Sequence, residues 1–174
     1  MHVRVSLVIL VIFWTDSTCP MQCFPRCRTI YSITDFVNTR DHIWTYKISK
    51  QTVIRCQYNK MRSISLEHYI YNRTFWYREQ RKSIRLRGDF DAQRKNRMDV
   101  RSIETLIYLA NNTACGVVRI EPARNGTTYY ELRVKNAYIG AMPDRKCTSR
   151  FRRVANFEML TYSPDCHHLL GLRH

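Results

Sequence analysis

Residues 66–77 read LEHYIYNRTFWY. β-Branched and aromatic residues dominate the stretch, and it holds no glycine or proline, so it reads as a β-strand. Asn72-Arg73-Thr74 within it is an N-glycosylation sequon, and an asparagine that carries sugar must face water. A period of two then turns Ile70 and Thr74 outward with Asn72. The same period turns Tyr69, Tyr71, Arg73, Phe75 and Tyr77 inward. An inward row of aromatics with one guanidinium suits a pocket for a flat or unsaturated anion. A bulge that shifts the register would flip the whole row.

The same grain continues on either side. Residues 42–48, 53–59, 83–90, 105–110, 114–121, 127–138 and 157–162 are also rich in β-branched and aromatic residues. Asn111-Asn112 and Asn125-Gly126 supply turn chemistry between some of them. With 66–77 this makes eight strands. Eight strands close a small antiparallel up-and-down barrel able to hold one ligand, so the expected class is all-β. One segment departs from the pattern. After Pro143, Cys147, Phe151 and Val154 fall at i, i+4 and i+7 among arginines. That is the apolar stripe of an amphipathic helix over 144–155, packed outside the barrel, with Asp144 as N-cap or first-turn carboxylate.

The N-terminus reads as a leader. Met1-His2-Val3-Arg4 is basic, Val5 to Trp14 is uniformly apolar, and residues 15–19 are small and polar. That order defines a secretory signal peptide over 1–19, with cleavage after Ser17 or after Cys19. The apolar run is shorter than the roughly 20 residues of a membrane span, and no later segment is a candidate. The expected product is a secreted, extracellular, monomeric protein. Its parts are a Cys/Pro loop and short helix over 20–41, a barrel over 42–166 and a C-terminal tail over 167–174. Ser32 or Thr34 would cap the short helix.

Seven cysteines, Cys19, Cys23, Cys27, Cys56, Cys115, Cys147 and Cys166, would meet an oxidising compartment and form disulfides. Their spacing is not that of a zinc site. Asn72, Asn111 and Asn125 head three sequons, which agree with secretion. The net charge of +15 favours anionic ligands or surfaces. Basic clusters stand at 78–87, 94–101 and 145–153.

These residues resemble the tick salivary lipocalins of the histamine-binding-protein family. The resemblance runs from about Asp35 to Cys166. Phe36-Val37-Asn38-Thr39, Ile43-Trp44-Thr45-Tyr46, Cys56, Asn72 to Tyr77, Ala114 to Val118, Tyr130 to Asn136, Cys147 and Tyr162 to Cys166 carry it in order. It implies an eight-stranded barrel with an external C-terminal helix, and the pairings Cys56–Cys166 and Cys115–Cys147. It also implies sequestration of small host inflammatory mediators, with biogenic amines as type ligands and eicosanoids in other branches. The amine-binding pattern is Cys-Asp, later Glu-Leu-Trp or Glu-Leu-Tyr, then Cys, so that a carboxylate directly follows a cysteine and an aromatic follows Glu-Leu. Two carboxylates and an aromatic face would hold a compact cation.

Here Gly116 follows Cys115, and Arg133 follows Glu131-Leu132. Glu131 and Arg133 share a face and can pair with each other. Gly116, Val118 and Ile120 make another wall apolar. A fatty acid or leukotriene is therefore favoured, its tail against Val118 and Ile120 and its carboxylate at Arg73 or Arg133. The candidate ligand set is Trp44, Tyr69, Tyr71, Arg73, Phe75, Tyr77, Val118, Ile120, Glu131 and Arg133. No nucleophile motif, phosphate loop, cofactor or metal set is read: His42 and His68 stand alone, and His167, His168 and His174 fall in the tail. The competing reading is a basic secreted protein that binds acidic glycans or a host protein through its surface. Nucleic-acid binding has no motif behind it.

Overall fold

Alternation of side chains drives the chain into a ring. The computed structural model describes residues 29–124, 126–140 and 143–172. The leader, Cys19, Cys23, Cys27, Asn125 and His174 lie outside these residues. Eight strands follow in order: β1 (Ile43–Ile48), β2 (Arg55–Ile64), β3 (His68–Tyr77), β4 (Gln80–Phe90), β5 (Arg97–Asp99), β6 (Ser102–Leu109), β7 (Cys115–Pro122) and β8 (Tyr129–Lys135). Each pairs antiparallel with the next, β8 pairs with β1, and β1 pairs with β2 through Ile43↔Asn59 and Trp44↔Tyr58. The barrel is closed, as expected for an eight-stranded up-and-down fold.

Its membership differs from the sequence reading. Residues 157–162 supply only β9 (Met159–Leu160), which pairs with the flank of β1 outside the ring. The missing barrel strand is β5, from a stretch that reads as a basic cluster. It is three residues long and turns only Met98 into the core, too short for an alternation to register.

Two apolar cores lie on opposite faces of the sheet. The inner one fills one half of the lumen with Tyr69, Tyr71, Leu86, Met98, Leu106, Val118 and Ile120. A short helix α1 (Ile33–Val37), N-capped by the Ser32 hydroxyl accepting from the Asp35 amide, plugs that end with Ile33, Phe36 and Val37. The outer core lies beneath helix α2 (Arg145–Val154), whose Cys147 and Phe151 are fully buried. Asp144 caps α2 by accepting from the Lys146 amide. Cys115–Cys147 ties this helix to β7.

Cys56–Cys166 ties the C-terminal segment to β2. Cys56 adopts a left-handed backbone (φ 54°), within an irregular register between Arg55 and Tyr58. Residues 167–172 are not a loose tail. Cys166–Leu169 forms a short helix α3, Leu170 is fully buried, and the His167 ring lies 5.1 Å from that of Trp44. The disulfide, Leu170 and the His167 ring together seat it against the outer core.

Candidate ligand pocket in the barrel

The lumen holds four charged side chains from three strands. On β8, Glu131 and Arg133 point inward two residues apart, and Arg133 Nε donates to Glu131 Oε2 at 2.7 Å. Arg133 Nη1 donates to Glu104 Oε2 on β6 at 2.6 Å. Across the barrel, Arg73 Nη2 on β3 donates to Glu104 Oε1 at 3.1 Å, and Arg73 Nε donates to Asn59 Oδ1 at 2.9 Å. Two guanidiniums and two carboxylates thus form a neutral quartet, with Glu104 at its centre, 1% exposed. Burial pushes the Glu104 carboxyl up, but Arg133 and Arg73 more than reverse this and hold it at about 2. Burial pushes Tyr71 up to about 12. Its ring stacks on Tyr69 with centroids 4.6 Å apart.

Beyond the quartet, toward the end of the barrel opposite α1, a cavity of about 250 Å³ opens. Arg73 and Glu131 form its inner charged boundary. Phe75, Tyr129, Ile48, Ile54 and Ile84 supply apolar wall, and Thr45, Gln57 and Thr161 supply polar atoms. Lys50 stands at the mouth with its ammonium 3.6 Å from the centroid of the Tyr129 ring. Burial lowers its pKa, Glu131 opposing and Arg73 adding to the shift. Arg73 keeps Nη1 without a hydrogen bond to the described residues, and Glu131 keeps Oε1 likewise. The pocket therefore offers two cationic donors and one carboxylate oxygen.

The structure distributes the sequence-read set as follows. Arg73, Phe75 and Glu131 line this cavity. Arg133 lies behind Glu131, 2% exposed and committed to both carboxylates. Tyr69, Tyr71, Val118 and Ile120 are packed into the inner core, so an acyl tail against Val118 and Ile120 has no room. Tyr77 lies at the rim, in a depression with Val53, Ile54, Phe157 and Met159. Trp44 faces away from the lumen. Its indole donates to Asn136 Oδ1 at 2.8 Å within the outer core. Thr74 keeps its outward face but is buried, its hydroxyl 3.1 Å from that of Ser83. Asn72 is half-buried on the outer face and Asn111 is exposed in a turn.

Glu104, Lys50 and Tyr129 complete the site and are absent from the sequence reading. Glu104 was legible in principle. In 102–109, SIETLIYL, it shares a period-two face with Leu106, and an acid on a core-facing position asks for a partner.

Gly116 stands where the amine-binding pattern has a carboxylate. A Cβ there would lie 2.9 Å from Leu106 Cδ1, 3.2 Å from the Tyr108 carbonyl and 3.4 Å from Phe36. Restoring the acid by Gly116→Asp is therefore expected to create no amine site. Overpacking should cost about 2–3 kcal/mol, read as a lower urea midpoint with unchanged slope. An amine-binding G116D variant of full stability would contradict this.

No protein-family model and no curated protein sequence matches the chain. Solved structures do. AM182 in its serotonin complex superposes with a TM-score of 0.65 at 16% identity, over 79% of this chain and 94% of that one. The siderocalin Ex-FABP, which functions through dual ligand specificities, gives 0.59 at 7% identity over 71% and 93%. Japanin from Rhipicephalus appendiculatus, bound to cholesterol, gives 0.56 at 6% identity over 71% and 93%. The fold is the lipocalin barrel with its external C-terminal helix, and two of these neighbours are seen with a small ligand, serotonin in one and cholesterol in the other. Among the described residues no cluster of His, Cys, Asp or Glu could hold a metal ion, and no helix is long and apolar enough to cross a membrane.

Proposed function

We propose that this chain is a secreted lipocalin that sequesters a small amphipathic acid, of the fatty-acid or eicosanoid kind, and so removes a host inflammatory mediator. One observation carries the reading. The cavity in the lumen has an apolar, aromatic wall and two cations, Arg73 and Lys50, with donors to spare. A carboxylate between them would gain charge-assisted hydrogen bonds.

The cavity is smaller than the roughly 300–1,000 Å³ of a drug-sized site. A long acyl chain would therefore run out over the rim depression, which shares Thr52 and Ile54 with the cavity. The two disulfides suit an extracellular setting. A histamine-like amine is the second reading. It is favoured by the unbonded Glu131 Oε1 beside Phe75 and Tyr129, and by the serotonin held by one neighbour.

Calorimetric titration separates the two. Arachidonate is expected to bind with near-unit stoichiometry, and Lys50→Ala should weaken it about tenfold or more, the worth of one charged hydrogen bond. Lys50 is exposed, so the variant keeps the fold. Acid binding indifferent to Lys50→Ala and Lys50→Glu would sink the proposal. Saturable serotonin or histamine binding that tightens in Lys50→Ala would establish the amine instead.

A further inference from the structure

A second site lies outside the barrel, where α2 leans over the outer face of the sheet. Lys146, Arg150 and Arg153 fall at i, i+4 and i+7 and form one stripe along the helix. Arg150 and Arg153 overhang a cleft of about 460 Å³ whose floor includes Tyr108 and Tyr130, with Arg119 of β7 on its far side. A second depression, lined by Tyr108, Arg145, Lys146, Arg150 and Arg153, continues it along the helix. No carboxylate lines either one. The side chains of Arg145, Lys146, Arg150 and Arg153 have no ion-pair partner among the described residues, and Arg119 Nε is buried without a hydrogen bond although its Nη2 meets Glu121.

This arrangement is costly for the fold alone. Like charges at i, i+3 and i+4 on a helix repel. Arg145 and Lys146 sit in the first turn, where the helix dipole disfavours cations, and the N-cap Asp144 is the single carboxylate beside them among the described residues. An external polyanion would relieve both terms. The cations on β4 are different: they stand on an exposed strand, and Arg87 is already paired with Asp89.

We infer that the α2 flank, with Arg119, is a binding site for a linear sulfated polysaccharide. The track is elongated, so it fits a chain rather than a single ion. Guanidiniums match the planar, multi-acceptor edge of sulfate better than ammoniums do. Tyr108 is not a free platform for a base: it is 9% exposed, meets Tyr31 edge-on at 5.6 Å, and lies under the Arg150 guanidinium at 5.7 Å. That geometry disfavours a single-stranded nucleic acid, which needs open aromatic faces.

The test is surface plasmon resonance of the full protein on heparin, on chemically desulfated heparin and on single-stranded DNA, at about 0.15 M salt. Lys146→Ala/Arg150→Ala/Arg153→Ala is expected to weaken heparin binding by about tenfold or more and to flatten its salt dependence. Arg81→Ala/Lys82→Ala/Arg85→Ala removes the same charge from β4 and should change affinity by no more than about twofold. Desulfated heparin should not bind. Arg150→Lys/Arg153→Lys, which keeps the charge and the fold, should show an intermediate loss. Equal losses in the two alanine triples, no loss in the first, or DNA binding as tight as heparin would each overturn the assignment.

Discussion

Glu104→Gln is expected to lower the stability of this protein by about 3–5 kcal/mol, the range for breaking a buried ion pair from one side. Glu104 is the shared acceptor of Arg73 and Arg133. Without its charge two guanidiniums remain in the lumen with one carboxylate, and Arg73 loses its only ion-pair partner among the described residues. The effect has a pH signature. The Glu104 carboxyl titrates at about 2 in the fold against 4.5 when unperturbed. A depressed carboxyl contributes stability that is complete above its unfolded pKa and is lost as pH falls through the folded one. The native protein should therefore lose stability between about pH 4.5 and 2, and Glu104→Gln should remove that slope along with the stability it reports. Urea midpoints across that range decide the matter. A parallel loss in the variant would mean that other carboxylates govern the acid transition.

The second large effect is topological. Cys56–Cys166 spans 110 residues and Cys115–Cys147 spans 32. By loop-closure entropy these are worth about 4.8 and 3.7 kcal/mol. Cys56→Ala/Cys166→Ala should therefore destabilise by roughly 4–5 kcal/mol, about 1 kcal/mol more than Cys115→Ala/Cys147→Ala. The first also frees α3, whose Leu170 and His167 pack on the outer core. The second frees only one attachment of α2, which Phe151 still holds. Calorimetric unfolding of the two variants gives the order, and the reverse order would show that α2 packing, rather than chain closure, limits stability.

The sequence made the barrel legible because most strands run long enough for alternation to show, and the sequon at Asn72 fixed the faces of β3 down to Phe75. The Glu131–Arg133 pair followed from a spacing of two. Other features were hidden for physical reasons. In β1, IWTYKI, Ile43, Trp44 and Thr45 are all buried. Both faces of that strand are covered, so hydrophobicity carries no sign of direction, and Trp44 reads as luminal when it is not. β5 is too short to have a period. Glu104 makes sense only once Arg73 and Arg133, from two other strands, are placed beside it. Tyr77 has the expected parity, but it lies past the quartet, where inward-facing side chains reach the rim rather than the cavity. The carboxylate-binding role first read for Arg133 fails because Glu104 and Glu131 already occupy it.

The position of Trp44 reaches into spectroscopy. Its indole lies among Tyr58, Tyr162 and His167, and Trp76 packs against the same outer core. Neither described indole borders the cavity. Intrinsic emission from these two chromophores is thus a gauge of how firmly the C-terminal segment is seated, and is blind to whether the barrel is loaded. Occupancy has to be read by heat, by a competing dye or by the tyrosines at the mouth.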